Sequence, residues 1–184
     1  MSIPPKRFFE AFGEIGYHYA SLEFGIKATL GGMLNIHTFD ALIITEPHTS
    51  FALRNVAKSI AKACLVITDA DKEKFVHIIG EFGKFGPLRN TVAHCRWRKG
   101  DRRHSLRPIG LDIRSGTAKL LGYDPSEKDW TSAELRAEAV SLIKLNAKLV
   151  MFQRSSGLAA SIAKNDEDTM RAIESRIGSS TIAS

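Results

Sequence analysis

Residues 8–34, "FFEAFGEIGYHYASLEFGIKATLGGML", decide the fold class because their apolar side chains recur at every third or fourth position. That spacing is the period of an α-helix, and it places these side chains on one face. The face consists of Phe8, Phe12, Ile15, Tyr19, Leu22, Ile26, Leu30 and Met33. The stretch therefore predicts a long first helix with one buried side.

The same helical period recurs three times further along the chain. A second helix follows Pro47, with Thr49 or Ser50 as its cap, and a third follows residue 69. The capping box "TSAE", residues 131–134, opens a last long helix. The apolar faces of the second and third helices contain Leu53, Val56, Ile60, Cys64 and Ile67, and Phe75, Ile78 or Ile79, Phe82 and Phe85. Four such periods with short connections predict an all-α fold, an antiparallel bundle of four to five helices.

Two segments interrupt the helical pattern. Pro87 lacks the N–H that an interior helical residue donates, so "PLRNTVAHCRW", residues 87–97, is predicted as a kinked continuation of the third helix or a fresh short helix. Residues 104–123 place turn residues, "RSGT" among them, between short β-compatible runs, which predicts a small hairpin or extended excursion. We expect residues 1–154 to form one helical bundle domain and residues 155–184 a C-terminal tail, weakly helical or mobile.

The composition is that of an ordinary globular protein. With 184 residues, 43% of them hydrophobic and 25% charged, the chain is long enough to form a core without disulfides or a structural metal. Cys64 and Cys95 form no CxxC pair, and the histidines show no ligand spacing, so we expect two free thiols and neither a metal nor a cofactor. No segment has the length and apolarity of a signal peptide or a membrane span, which predicts a cytoplasmic protein without membrane contact.

The positive charge of the chain is concentrated in one segment. The net charge is +6, and "RWRKGDRRHSLR", residues 96–107, carries six positive side chains against one aspartate. These six are Arg96, Arg98, Lys99, Arg102, Arg103 and Arg107. Such clustering attracts phosphates, so the segment is a candidate RNA-binding surface, with a solvated loop as the alternative.

The stretch "RNTVAH", residues 89–94, lies just before this basic segment and has the side chains that RNA cleavage requires. On a helix, Asn90 and His94 are one turn apart, and Arg89 is long enough to reach the same ligand. Phosphodiester cleavage needs a base for the ribose 2′-OH, an acid for the leaving 5′-oxygen and a cation for the charge that builds on phosphorus. Since one histidine does not easily serve as both base and acid, two copies related by a two-fold axis are expected.

A structural interpretation of the same residues stays open. Arg89 could bind a carboxylate such as Glu23, which lies at the margin of the first helix's apolar face. His94 could cap the last carbonyls of a helix, where a cationic imidazole is favoured. The chain contains no P-loop, no GxSxG and no GxGxxG, so the commonest nucleotide-handling and hydrolase motifs are absent from the sequence.

The chain resembles the higher eukaryotes and prokaryotes nucleotide-binding (HEPN) superfamily, helical bundles whose signature is Arg-x4 to x6-His with a polar residue after the arginine. "RNTVAH" fits that signature, "YASLEFGIKATLGGML" is similar to the family's first helix with its inward acidic residue, here Glu23, and "DWTSAELRAEAVSLIKLNAKLVMF" is similar to the helix after the motif. The likeness covers about residues 8–153.

This resemblance implies a metal-independent endoribonuclease, often a toxin or phage-defence effector with an antitoxin partner, that works as a homodimer with both motifs in one cleft. It implies that His94 acts as general base or acid, that Arg89 stabilises the transition state, and that Asn90 positions the phosphate or the catalytic pair. Some members have a tyrosine two residues after the histidine, where this chain has Arg96. The alternatives are a non-catalytic module that binds nucleotide, RNA or protein, and a helical structural subunit.

Overall fold

The computed structural model describes residues 4–114, 117–121 and 128–180, and it describes the backbone alone for residues 111–114, 117–121 and 172–180. The helices are α1 (Lys6–Leu34), α2 (Thr38–Thr45), α3 (Ser50–Ala63), α4 (Asp69–His94), α5 (Ser132–Ser155) and α6 (Leu158–Ser180). The strands are β1 (Arg96–Lys99), β2 (Ser105–Arg114), β3 (Thr117–Leu121) and β4 (Trp130–Thr131). The predominantly helical fold predicted from the sequence is confirmed, with six helices in the described residues where four to five were expected.

The chain divides into two compact units, each built from two separate stretches of sequence. One unit, here called the strand unit, comprises Met1–Ser21 and Lys84–Lys144. The other, here called the helical unit, comprises Leu22–Gly83 and Leu145–Ser184. The apolar period of α1 continues without change past Ser21, so the sequence does not mark this division.

The apolar face predicted for α1 is confirmed. Seven of its eight side chains are at most 5% exposed, from Phe8 to Met33, and the half-buried Phe12 packs against Trp97 with ring centroids 4.7 Å apart. The helix ends because Asn35 adopts a left-handed conformation with φ 55°. The N–H of Ile36 then donates to the carbonyl of Gly31 at 3.0 Å, which satisfies one of the last free carbonyls of the helix.

The sheet of the strand unit is centred on β2. Its first half pairs antiparallel with β1, in the register Arg96↔Ile109 to Lys99↔Leu106, and its first two residues pair with β4. Its second half pairs antiparallel with β3. The hairpin expected within residues 104–123 is thus confirmed for β2 and β3, while the "SG" of the expected turn, residues 115 and 116, and the end of the segment, residues 122 and 123, lie outside the described residues.

The prediction for residues 87–97 is wrong at its end. The helix α4 runs through Pro87 but stops at His94, and Trp97 lies in β1. Gly86, which precedes Pro87, has no Cβ to clash with the proline ring, so the helix can continue there. In β1 the side chain of Trp97 is buried while those of its neighbours Arg96 and Arg98 are exposed, an alternation typical of a strand.

In the helical unit, α6 packs against the end of α1 and the start of α2. The carboxylate of Asp166 accepts hydrogen bonds from the N–H and hydroxyl of Thr38 at 3.1 and 3.2 Å, and the amide of Asn165 donates to the carbonyl of Ile36 at 3.2 Å. A Cβ on Gly32 would lie 2.9 Å from Ile162, so a glycine there permits the close approach. These contacts order the first half of the segment that follows Ser155.

Two further features concern apolar surface and membranes. The short helix α2 presents Phe39, Ile43 and Ile44 to solvent, each more than half exposed. None of the helices that the structure describes combines the length and the apolarity that crossing a bilayer requires.

Candidate functional site

Arg89, Asn90 and His94 lie on the last turns of α4, in the strand unit. The Arg89 guanidinium donates from Nη1 to the Asn90 Oδ1 at 3.1 Å, and it lies 5.7 Å from the centroid of the Tyr19 ring. Tyr19 is only 2% exposed, so its ring is a fixed surface against which the half-buried Arg89 packs. The structure therefore brings the side chains of Arg89 and Asn90 into contact.

His94 is the final residue of α4, one helical turn after Asn90, and both side chains are exposed. An exposed imidazole at this position is reachable by a ligand in solution. The end of a helix also favours a positive charge, because the last carbonyls are negative poles of the backbone dipoles. The last turn of α4 thus presents an imidazole and an amide to solvent, with a guanidinium held beside the amide.

Glu23 lies in the helical unit and has a different partner from the one considered above. Its carboxylate pairs with Lys27 Nζ at 3.2 Å, and the same ammonium pairs with Glu46 at 3.0 Å. Burial works to lower the pKa of Lys27, but the hydrogen bonds and charges of the two carboxylates outweigh it and raise that pKa. Glu23 therefore has an ion-pair partner one turn away on its own helix.

The predicted RNA-binding residues fall into two groups. Arg96, Arg98, Lys99, Arg102 and Arg103 are exposed on β1 and on the turn that follows it. Arg107 is 5% exposed and donates from Nε to Asp129 at 2.6 Å and from Nη2 to Asp101 at 2.8 Å. A buried guanidinium between two carboxylates has no free face for phosphate, so the expectation that Arg107 binds RNA is corrected.

Asp129 is the residue of this region that the sequence analysis missed. Its side chain is 3% exposed and accepts hydrogen bonds from the N–H groups of Asp101 and Arg102 at 2.6 and 3.0 Å, as well as from Arg107 and Ser105. Burial works to raise the pKa of the Asp129 carboxyl, but these donors and the Arg107 charge outweigh it and lower that pKa to about 2. No signal in the sequence indicates a contact across more than 20 residues.

Arg102 is exposed but its charge is also compensated. Its guanidinium donates to Glu134 at 2.7 Å and to the backbone carbonyl of Asp129. The hydrogen bond from Arg102, helped by the N–H of Thr131, lowers the pKa of Glu134 to about 2. The basic segment therefore carries less free charge than its sequence indicates.

Metal ligands do not converge anywhere in the part of the chain that the structure describes, where no group of three or more His, Cys, Asp or Glu side chains is placed to hold an ion. Neither Cys64 nor Cys95 forms a disulfide there. Comparison of the chain with protein-family models, with curated proteins and with solved structures finds no match. The function of these side chains therefore has to follow from their own contacts, exposure and charge.

Proposed function

We propose that the chain is a HEPN-like, metal-independent endoribonuclease with Arg89, Asn90 and His94 as its active site. The observation that carries the proposal is the hydrogen bond of Arg89 to Asn90 at the exposed end of α4, one turn before the exposed His94. The strand that follows directly, β1, presents further positive charge to an RNA substrate.

Each of the three side chains has a defined role in this reaction. The imidazole of His94 takes the proton from the ribose 2′-OH, whose oxygen forms a bond to phosphorus while the bond from phosphorus to the 5′-oxygen breaks. The guanidinium of Arg89 stabilises the negative charge that develops on the phosphoryl oxygens. Asn90 holds that guanidinium in place through the 3.1 Å hydrogen bond.

The second proton transfer calls for a second histidine. The leaving 5′-oxygen takes up a proton as its bond to phosphorus breaks, and an imidazolium is suited to supply it near neutral pH. A two-fold axis would bring the His94 of a second copy into the same cleft. The proposal thus includes a homodimer of helical bundles, and uncontrolled RNA cleavage by such an enzyme suits a toxin or phage-defence effector held in check by an antitoxin protein.

The second candidate function is a non-catalytic module that binds RNA, nucleotide or a protein. One observation favours it: Arg89 is half-buried and already engaged by Asn90 and by the ring of Tyr19. An arginine in that position can serve to join α1 and α4 within the strand unit. Binding without cleavage separates this candidate from the ribonuclease.

The experiment that tests the proposal compares purified wild-type protein with Arg89→Ala and His94→Ala on a mixed RNA substrate in the presence of EDTA. We expect fragments from the wild type and intact RNA from both variants. His77→Ala is the matched control, because His77 is also an exposed histidine of α4. Circular dichroism checks that all the proteins are folded. Cleavage retained by both folded variants would rule out this active site.

A further inference from the structure

We infer that the β1–β2 hairpin is an RNA-binding arm that holds one single-stranded backbone on one side of the scissile bond. The arm is defined by Arg96, Lys99 and Arg103. The inference rests on the proposed ribonuclease and names the substrate feature that its site would recognise, a single-stranded flank several nucleotides long.

The hairpin begins at the proposed active site and leads away from it. The helix α4 ends at His94 and β1 begins two residues later at Arg96. Since Arg96 pairs with Ile109 and Lys99 with Leu106, Arg96 lies at the open end of the hairpin and the turn of residues 101–104 lies at its tip. The three cations of the arm therefore follow one another from the site outward.

These three residues carry positive charge that no described carboxylate compensates. Arg102 is paired with Glu134, and Arg107 with Asp101 and Asp129. Among the described residues, no carboxylate lies within ion-pair distance of Arg96, Lys99 or Arg103. Phosphate binding favours such uncompensated cations, because a cation already paired with a carboxylate gains little from a phosphate.

The arm has a rigid support. The buried carboxylate of Asp129 binds the N–H groups of Asp101 and Arg102 and so fixes the turn from below. At the other end, the ring of Trp97 packs on Phe12 of α1. Cations on a supported hairpin lose less entropy on binding than cations on a mobile loop, which distinguishes this arm from a solvated basic loop.

At the tip, Arg103 has a defined orientation. Its Nε donates to the imidazole Nε2 of His104 at 3.0 Å, and His104 adopts a left-handed conformation with φ 56°. Left-handed backbone is uncommon for a residue other than glycine. The hydrogen bond to His104 orients the Arg103 guanidinium at the end of the arm.

The length of the arm sets the length of RNA that it contacts. The strand β1 covers about 10 Å at ~3.3 Å per residue, and the turn extends the path to about 20 Å. A single strand that rises between roughly 3.4 Å per nucleotide when stacked and about twice that when extended spans this path with about three to six nucleotides. Because Arg96 and Lys99 are three residues apart in β1, their side chains leave opposite faces of the strand. A flexible single strand can contact both faces, whereas duplex RNA is a stiff helix that presents two backbones across its groove.

The test measures binding apart from cleavage. In a His94→Ala background, fluorescence anisotropy follows the binding of a labelled oligouridine of about twelve nucleotides while the salt concentration is varied from about 50 to about 200 mM. We expect Arg96→Gln and Arg103→Gln each to weaken binding several-fold and to reduce the slope of log K against log salt by about 0.7, the contribution of one phosphate contact in single strands. Arg7→Gln is the matched control, because Arg7 is an exposed arginine of the same unit outside the arm.

The outcomes separate this inference from the ribonuclease proposal. Three results would overturn the inference of an RNA-binding arm. They are equal effects of Arg7→Gln and the arm variants, unchanged slopes of log K against log salt, and tighter binding of duplex RNA of equal length. If the wild type does not cleave RNA but the arm variants lose binding as stated, the surface is supported and the catalytic proposal fails. If the wild type cleaves RNA and the arm variants bind and cleave as the wild type does, the catalytic proposal is supported and the RNA-binding arm is ruled out.

Discussion

At the scale of single residues, the register of β1 against β2 explains how charge is arranged in the hairpin. Arg98 lies directly opposite Arg107, and two like charges in such a pair repel each other. The buried Asp129 offsets the charge of Arg107 through a 2.6 Å hydrogen bond. The six positive side chains look equivalent in the sequence, but this contact makes one of them structural, and the sequence contains no sign of it.

Asp129 and Asp101 bind the same guanidinium and provide a matched pair for a stability test. We expect Asp129→Asn to lower the free energy of unfolding by about 3 kcal/mol, because it removes the charge that balances a buried cation. Asp101→Asn should lower it by less than about 1 kcal/mol, since the Asp101 side chain is 79% exposed. Urea denaturation of the two variants measures the difference, and equal losses would contradict the role given to Asp129.

The low pKa values of Asp129 and Glu134 predict how stability depends on pH. Each carboxyl has a pKa of about 2 in the folded protein, below the ordinary values of 3.8 and 4.5. Their contribution is therefore fully present above about pH 5 and is lost as the pH falls toward 2. Urea denaturation between these limits should show wild-type stability decreasing more steeply than that of Asp129→Asn, and parallel curves would contradict the assignment.

At the scale of elements, the signals that were local in sequence identified the helices well. Thr49 caps α3, and the capping box of Thr131 and Glu134 forms in both directions, with N–H to side-chain distances of 3.2 and 2.7 Å. The strand β1 was missed because "RWRK" has one apolar residue, whose partner Phe12 is far away in the sequence. The last helix was underestimated because its contacts, such as that of Asp166 with Thr38, are also distant.

Gly100 connects β1 to its turn, and its replacement tests the importance of the hairpin. A Cβ at this position would lie 2.6 Å from the Asp129 carboxylate, which is too close for any real contact. We expect Gly100→Ala to displace Asp129, to destabilise the protein by about 1–3 kcal/mol and to weaken RNA binding by the arm. Gly13→Ala is the control, since its Cβ would meet nothing within 4 Å, and a thermal melt equal for both variants would count against the tight turn.

For the whole molecule, the division of the chain into two units could not be predicted from sequence patterns. Three helices, α1, α4 and α5, each contribute residues to both units, so no linker or change of composition marks the boundary. The motif "RNTVAH" contains Arg89, Asn90 and His94, and the structure places all three on the last turns of α4, with Arg89 half-buried and the other two exposed. That they form an active site stays a prediction. The proposed pairing with a second copy is not a feature that one chain displays.

The proposed homodimer makes a prediction about mixtures. If one His94 serves as base and that of a second copy as acid, a dimer of one wild-type and one His94→Ala chain is inactive. Mixing equal amounts and allowing exchange should then reduce the activity per wild-type chain to about half, as random pairing of symmetric dimers requires. Equal mass of an unrelated protein is the control, and activity per wild-type chain that stays constant would argue for independent sites.

The chemistry of the cleaved ends reports directly on attack by the ribose 2′-OH. Mass spectrometry of fragments made by the wild-type protein in EDTA identifies the group on each 3′ end. Attack by the 2′-OH leaves a 2′,3′-cyclic phosphate opposite a free 5′-hydroxyl. We expect these ends for the wild type and no such fragments for His94→Ala. Fragments with 3′-hydroxyl and 5′-phosphate ends, or cyclic phosphates formed equally by His94→Ala, would contradict it.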